Sequence, residues 1–223
     1  MLAEDVQFKA EVYYQYLYQM PVENDPSSSY SESNTVQWFS DRALVNEGIG
    51  YNRGVELSIE KFFTRGYHFL STASVSDTRY KPLDGRWYNG RFNMGIVANA
   101  LGGKEWKLGV SKGKDRVILV GTRYSVLGGM YSTPTDLAAS IQAGEQRDGQ
   151  PAWSQKGAPI HKLDLVVSYR VGRPKVSHEF KADVQNVLNA DTVVESYYNA
   201  TSERVEGASQ LGMLPVLQYT LRF

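Results

Sequence analysis

Apolar and polar residues alternate along much of this chain with a period of two, which is the periodicity of strands, not helices. The first run, roughly 6–22, sets Val6, Phe8, Ala10, Val12, Tyr14, Tyr16, Tyr18 and Met20 on one face and Gln7, Lys9, Glu11, Gln15 and Gln19 on the other. Strands of globular proteins mostly run about five or six residues, whereas about nine to eleven are needed to cross a bilayer. The pattern recurs at 55–60, 92–100, 163–171 and 180–185, less regularly at 67–76 and 117–124, and again at 214–223. Roughly eight strands are predicted, and no stretch argues convincingly for a helix.

The links between these segments alternate in length. Long ones span Glu23 to Gly48, Asp77 to Gly90, Leu127 to Ile160 and Asn189 to Gly212; those around Thr64–Gly66, Lys104–Asp115 and Gly172–Pro174 are shorter. An up-and-down membrane barrel with long outer loops and short inner turns has this asymmetry, while a compact soluble domain seldom holds several structureless loops beyond about fifteen residues. Small inward residues such as Ser58, Thr72, Ser74 and Gly95 fit a wall around a wide space better than the interlocked interior of a closed eight-stranded barrel, the alternative architecture with a structural or adhesive role. The expected fold is all-β: an antiparallel up-and-down transmembrane β-barrel segment.

Composition narrows the classes. The 24 basic and 24 acidic residues balance and are scattered, which gives no support for a nucleic-acid interface. With no Cys there is neither a disulfide framework nor a thiolate metal site. Mean hydropathy of -0.40 excludes transmembrane helices but not a barrel, whose strands alternate. The 15 Tyr, 8 Phe, 4 Trp and 20 Gly suit aromatic girdles and turns. Met1 to Asp5 lead straight into alternation without a basic start and an apolar core, so a fragment of a longer precursor is expected.

Candidate chemistry is sparse. Gly109-Val110-Ser111-Lys112-Gly113 matches a nucleophile pattern, but no helix follows it, and the reading is a polar turn. Gly48 to Gly54 has its third glycine one position too late for a dinucleotide fingerprint. His68, His161 and His178 fall on different strands without acids at metal-ligand spacing. Glu56 and Glu60 share a polar face roughly 13 Å apart at a rise of about 3.3 Å per residue, beyond the about 5 to 9.5 Å of paired glycosidase carboxylates. Neither an enzyme activity nor a cofactor is expected. The binding candidates are loop residues: Trp38, Arg42, Trp87, Tyr88, Tyr131 and Trp153, beside Asp84, Arg86 and Asp136, a mixture able to stack on sugar rings or flat chelates.

Particular strings then carry a resemblance. Leu44–Gly48 followed by Tyr51–Leu57 and Glu60–Phe63, Gly128–Asp136, Leu163–Leu165 with Ser168–Arg170, His178–Phe180, Asp183–Asn189 and Gln210–Pro215 together resemble the barrel of TonB-dependent receptors of the Bacteroidetes type. The likeness covers nearly the whole chain, and residues 1–223 are read as one stretch of barrel. It implies a C-terminal portion of a barrel of about 22 strands in the cell outer membrane. The plug domain of such receptors, through which the TonB complex acts, is not recognisable here. Implied partners are a scarce nutrient (an iron chelate, a vitamin-like cofactor or a glycan), outer-membrane lipid and the barrel assembly machinery, for which Tyr219, Leu221 and Phe223 resemble the terminal recognition signal.

Overall fold

A computed structural model describes residues 5–35, 40–111 and 113–223. Its strands are β1 (Val6–Glu23), β2 (Leu44–Thr64), β3 (Tyr67–Lys81), β4 (Tyr88–Asn89), β5 (Ile96–Ser111), β6 (Lys114–Leu127), β7 (Tyr131–Ser132), β8 (Gln155–Lys156), β9 (Ile160–Gly172), β10 (Ser177–Gln185), β11 (Val193–Asn199), β12 (Arg204–Ser209) and β13 (Leu214–Arg222). Eight of them form one antiparallel up-and-down sheet in the order β1-β2-β3-β5-β6-β9-β10-β13, with β4 added beside β3. Among the described residues β1 and β13 are its two edges and do not pair with each other.

All short links lie at one end of this sheet. The β2–β3 turn is Arg65-Gly66, both at positive φ (52° and 81°), the backbone twist that a two-residue hairpin needs. The β5–β6 link is much tighter than the sequence reading of Lys104–Asp115: pairing continues from Lys104↔Val120 to Ser111↔Lys114. A bulge between Lys107 and Val110, with Gly109 at φ 84°, breaks the alternation there and hid the strand. The sequence pattern also misplaces two starts. β2 begins at Leu44 inside the expected long link, and β5 begins at Ile96, four residues after Phe92. Gly95, read as inward in the wall, instead precedes β5 at φ 77°.

The loops are not structureless. Leu137–Ala143 form a helix, α1, capped by the Asp136 carboxylate on Ala139 N (3.0 Å) and closed by Gly144 at φ 71°. Seven residues are too few to show a helical period against their loop surroundings. Glu32–Asn34 add a 3-10 turn, and β11 pairs with β12 as a separate hairpin inside the last long link.

Cross-strand register gives the sheet two unlike faces. One carries the row Lys9–Ser58–Thr72–Asn99–Ser125–Lys162, and further along Arg170–Glu179–Thr220 and Ser168–Lys181–Gln218. The other carries Val12–Val55–Val75–Ile96 and, toward the short turns, Trp106–Ile118–Tyr169–Phe180–Tyr219. Large apolar side chains of this second face, among them Val12, Tyr14, Val75 and Leu217, are exposed. A globular sheet would cover such a face with another layer. The small buried core sits instead among the long links, where Met20, Tyr80, Tyr88 and Ala152 pack together against Trp153.

Candidate loop-face binding site

The long links interlock through asparagines. Asn34 donates to the Asn89 carbonyl (3.2 Å) and accepts from Arg91 N (2.9 Å); Asn89 donates to the Trp153 carbonyl (3.1 Å). Tyr80, on the polar face of β3, donates to the Ser29 carbonyl (2.8 Å) and stacks on Tyr88. Residues 24–35, 82–95 and 128–159 are thus tied together on the polar side of the sheet. Tyr198 N, donating to Gln146 Oε1 (3.0 Å), ties in the β11–β12 hairpin.

Between that hairpin and the 128–159 link lies a cleft of about 530 Å³. Arg91, Tyr131, Gln146, Trp153, Lys156 and Glu195 are among the residues lining it. The Lys156 ammonium lies 5.5 Å from the centre of the Tyr131 ring. Trp153 is held at φ 52°, its N–H donating to Thr133 Oγ1 (3.2 Å). Arg91 and Lys156 form no ion pair among the described residues, so their donors remain for a ligand. A partly aromatic concavity of this size with a few convergent charges is what a small-molecule site requires.

The structure brings two of the expected binding residues, Tyr131 and Trp153, into this cleft. Tyr88 is buried in the loop core and donates to the Asp84 carboxylate; burial, followed by that carboxylate, raises its pKa. Arg42 is committed to Glu23 (2.6 Å) and lies over Tyr30 (4.4 Å), closing the first link on itself. Trp87 stands on the opposite, apolar side of the sheet, against Tyr51 at 5.2 Å. Trp38 lies outside the described residues. Arg91, Gln146, Lys156 and Glu195 carried no signal in the sequence, since contacts across tens of residues assemble them.

The strings that carried the family resemblance acquire physical roles. Gly128 and Gly129 leave no room for a side chain: a Cβ would collide with the Met94 carbonyl at the first and the Gly157 carbonyl at the second. Asn186, 2% exposed at φ 50°, donates to the carbonyls of Ala190 (3.1 Å) and Leu211 (3.2 Å) and accepts from Ala190 N (3.0 Å). Its own N–H donates to Asp164 (2.9 Å), which also accepts from Arg123 (2.6 Å). Asn189 accepts from Met213 N (2.9 Å). These residues join the ends of the last long link to the sheet.

The histidines are apart: His68 lies over Gly103 on the polar face, while His161 and His178 are on the apolar face, bonded to the hydroxyls of Tyr124 (2.9 Å) and Tyr219 (2.8 Å). Tyr219 and Leu221 share that apolar face, and Phe223 is exposed beyond β13. No protein-family model, curated protein or solved structure matches the chain.

Proposed function

We propose that this chain is part of the wall and outer loops of a TonB-dependent receptor of the cell outer membrane, which binds a scarce nutrient at the loop face and passes it inward through a barrel of about 22 strands. The observation that carries the reading is the two-faced meander. Its uncovered apolar face is edged by aromatics, its polar face looks toward the folded loops, and every long link lies at the same end. On the apolar face, Tyr51 to Lys61, Ile96 to Trp106 and His161 to Val171 mark the band on successive parts of the sheet. Ten residues at about 3.3 Å, tilted by about 40°, cover about 25 Å, the height of the apolar band of outer-membrane barrels.

The band also climbs diagonally. The Tyr16–Tyr51–Arg79 row crosses the early strands, and the Trp106 to Tyr219 row crosses the late ones. Such stagger supports the reading, since a barrel wall requires shear between its strands. A self-contained eight-stranded barrel would need β1 and β13 to pair, and their open edges favour a larger assembly instead.

Two measurements test the proposal. Single-Trp variants in vesicles of brominated phosphatidylcholine should show strong quenching for Trp106 and little for Trp153; equal quenching of both, or none, refutes the membrane orientation. Deleting the gene should abolish energy-dependent uptake of one labelled nutrient among a ferric chelate, a corrinoid and an oligosaccharide. Unchanged uptake of all three refutes the receptor role.

A further inference from the structure

The apolar face carries one concentration of charge that neither the wall nor the loop cleft uses. Directly above the Val12–Val55–Val75–Ile96 row come the rows Tyr14–Arg53–Asp77 and Tyr16–Tyr51–Arg79, then the pair Ile49–Lys81. Three cations therefore stand side by side on β2 and β3 at the loop-side edge of the band. Their side chains are displayed, not folded away: those of Arg53 and Arg79 are 58% and 45% exposed.

Aromatic rings hold two of them in place. The Arg53 guanidinium lies 5.0 Å from the Tyr51 ring centre, and Lys81 Nζ lies 5.8 Å from that of Trp87, which packs on Tyr51. One carboxylate serves the group. Asp77 accepts from Arg53 Nη2 (2.9 Å), Arg79 Nε (3.1 Å) and the Tyr51 hydroxyl (3.0 Å), which fixes the guanidiniums while leaving most of their five donors each unused. Lys81 forms no ion pair among the described residues. The next outward acid on β2, Glu47, is separated from the group by Ile49.

The cations stand on an aromatic shelf at the margin of an exposed apolar face. In a bilayer this is the depth of the headgroups, where aromatic rings settle and cations are drawn to an anionic surface. The Arg53 guanidinium, stacked on Tyr51, and the Arg79 guanidinium, held by Asp77, are oriented to meet the tetrahedral oxygens of phosphate. We propose that Arg53, Arg79 and Lys81 form a binding site for the phosphate groups of membrane lipids, holding one such headgroup against the β2–β3 wall. The inference rests on the membrane orientation argued above.

The test reconstitutes the protein into phosphatidylcholine bilayers containing spin-labelled phosphatidate or spin-labelled phosphatidylcholine and compares the motionally restricted fractions. Phosphatidate should be preferred roughly thirtyfold, as expected for about two net positive charges, and the preference should fall at high salt. The R53A/R79A/K81A variant should lose it and the charge-preserving R53K/R79K/K81R variant should retain most of it. Restricted phosphatidylcholine without a phosphatidate preference overturns the site while leaving the membrane orientation intact. No restricted lipid of either kind overturns both. Should the alanine variant fail to insert, the salt dependence of the unaltered protein decides: a preference that persists at high salt is not electrostatic and overturns the site. Displacement of phosphatidate by millimolar inorganic phosphate would reveal a site for soluble anions, contrary to the proposal.

Discussion

Replacing Asn186 tests whether a single buried amide closes the last outer loop. Its side chain makes three bonds to backbone groups of Ala190 and Leu211, and each such bond contributes about 1 kcal/mol net, giving roughly 3 kcal/mol. The backbone at φ 50° adds a second term, because a Cβ without a local polar partner costs about 1–2 kcal/mol in the left-handed region. Asn186→Ala should therefore destabilise by about 4–5 kcal/mol and Asn186→Gly, free of the φ term, by about 1–2 kcal/mol less. Denaturant midpoints of the protein folded in detergent measure the totals. Hydrogen exchange at Ala190 N–H, which donates to the Asn186 side chain, reports the local opening, while Val187 N–H, bonded to the Leu163 carbonyl, serves as internal reference. Losses below about 1 kcal/mol for both variants, or unchanged exchange at Ala190, would refute the reasoning.

Asp164→Asn keeps an acceptor for the Asn186 N–H and should cost under about 1 kcal/mol, since the Arg123 it loses is half exposed. Asp164→Ala strands that buried N–H and should cost about 1–3 kcal/mol in the same unfolding assay. Gly129→Ala should lower stability by at least about 1–3 kcal/mol, because the obstacle is the backbone carbonyl of Gly157 and not a movable side chain; a midpoint equal to that of the unaltered protein contradicts this. Asp5 accepts from Lys61 (2.8 Å) and from Thr64, and these bonds hold its pKa at about 2. Because the folded value lies below the ordinary one of about 3.9, this clasp contributes fully above pH about 4 and is lost as pH falls through about 2. Carboxyl NMR of Asp5 should titrate accordingly; a midpoint near 4 would show that the clasp does not form.

Much of the meander was legible in the residues. The alternation of Val6 to Met20 reported a long strand with one apolar face because side chains of a strand point to opposite sides whatever surrounds them. The link around Thr64–Gly66 was legible as short, while its two-residue turn, with Arg65 and Gly66 both at positive φ, came from the structure. What failed were places where the period breaks. The bulge at Gly109 concealed the ends of β5 and β6, and in Leu44–Gly50 the glycines Gly48 and Gly50 give way to Met20 and Val22, so the start of β2 shows little alternation.

The binding cleft was legible only as a list of aromatic residues in loops. Tyr131 and Trp153 share a cavity, Tyr88 is core, and Trp87 faces the other side of the sheet; nothing local distinguishes these fates. They are decided by register and by long-range amide bonds such as Asn34 to Asn89 and Asn89 to Trp153. The sequence by itself determined the long strands of the meander, the two chemically unlike faces and the end at which the loops lie, since these follow from the period of two and from the alternation of long and short links. The tertiary structure alone decided which loop residues converge, which cations line up on β2 and β3, and that among the described residues β1 and β13 remain open edges, because each depends on pairing between residues that the chain order keeps far apart.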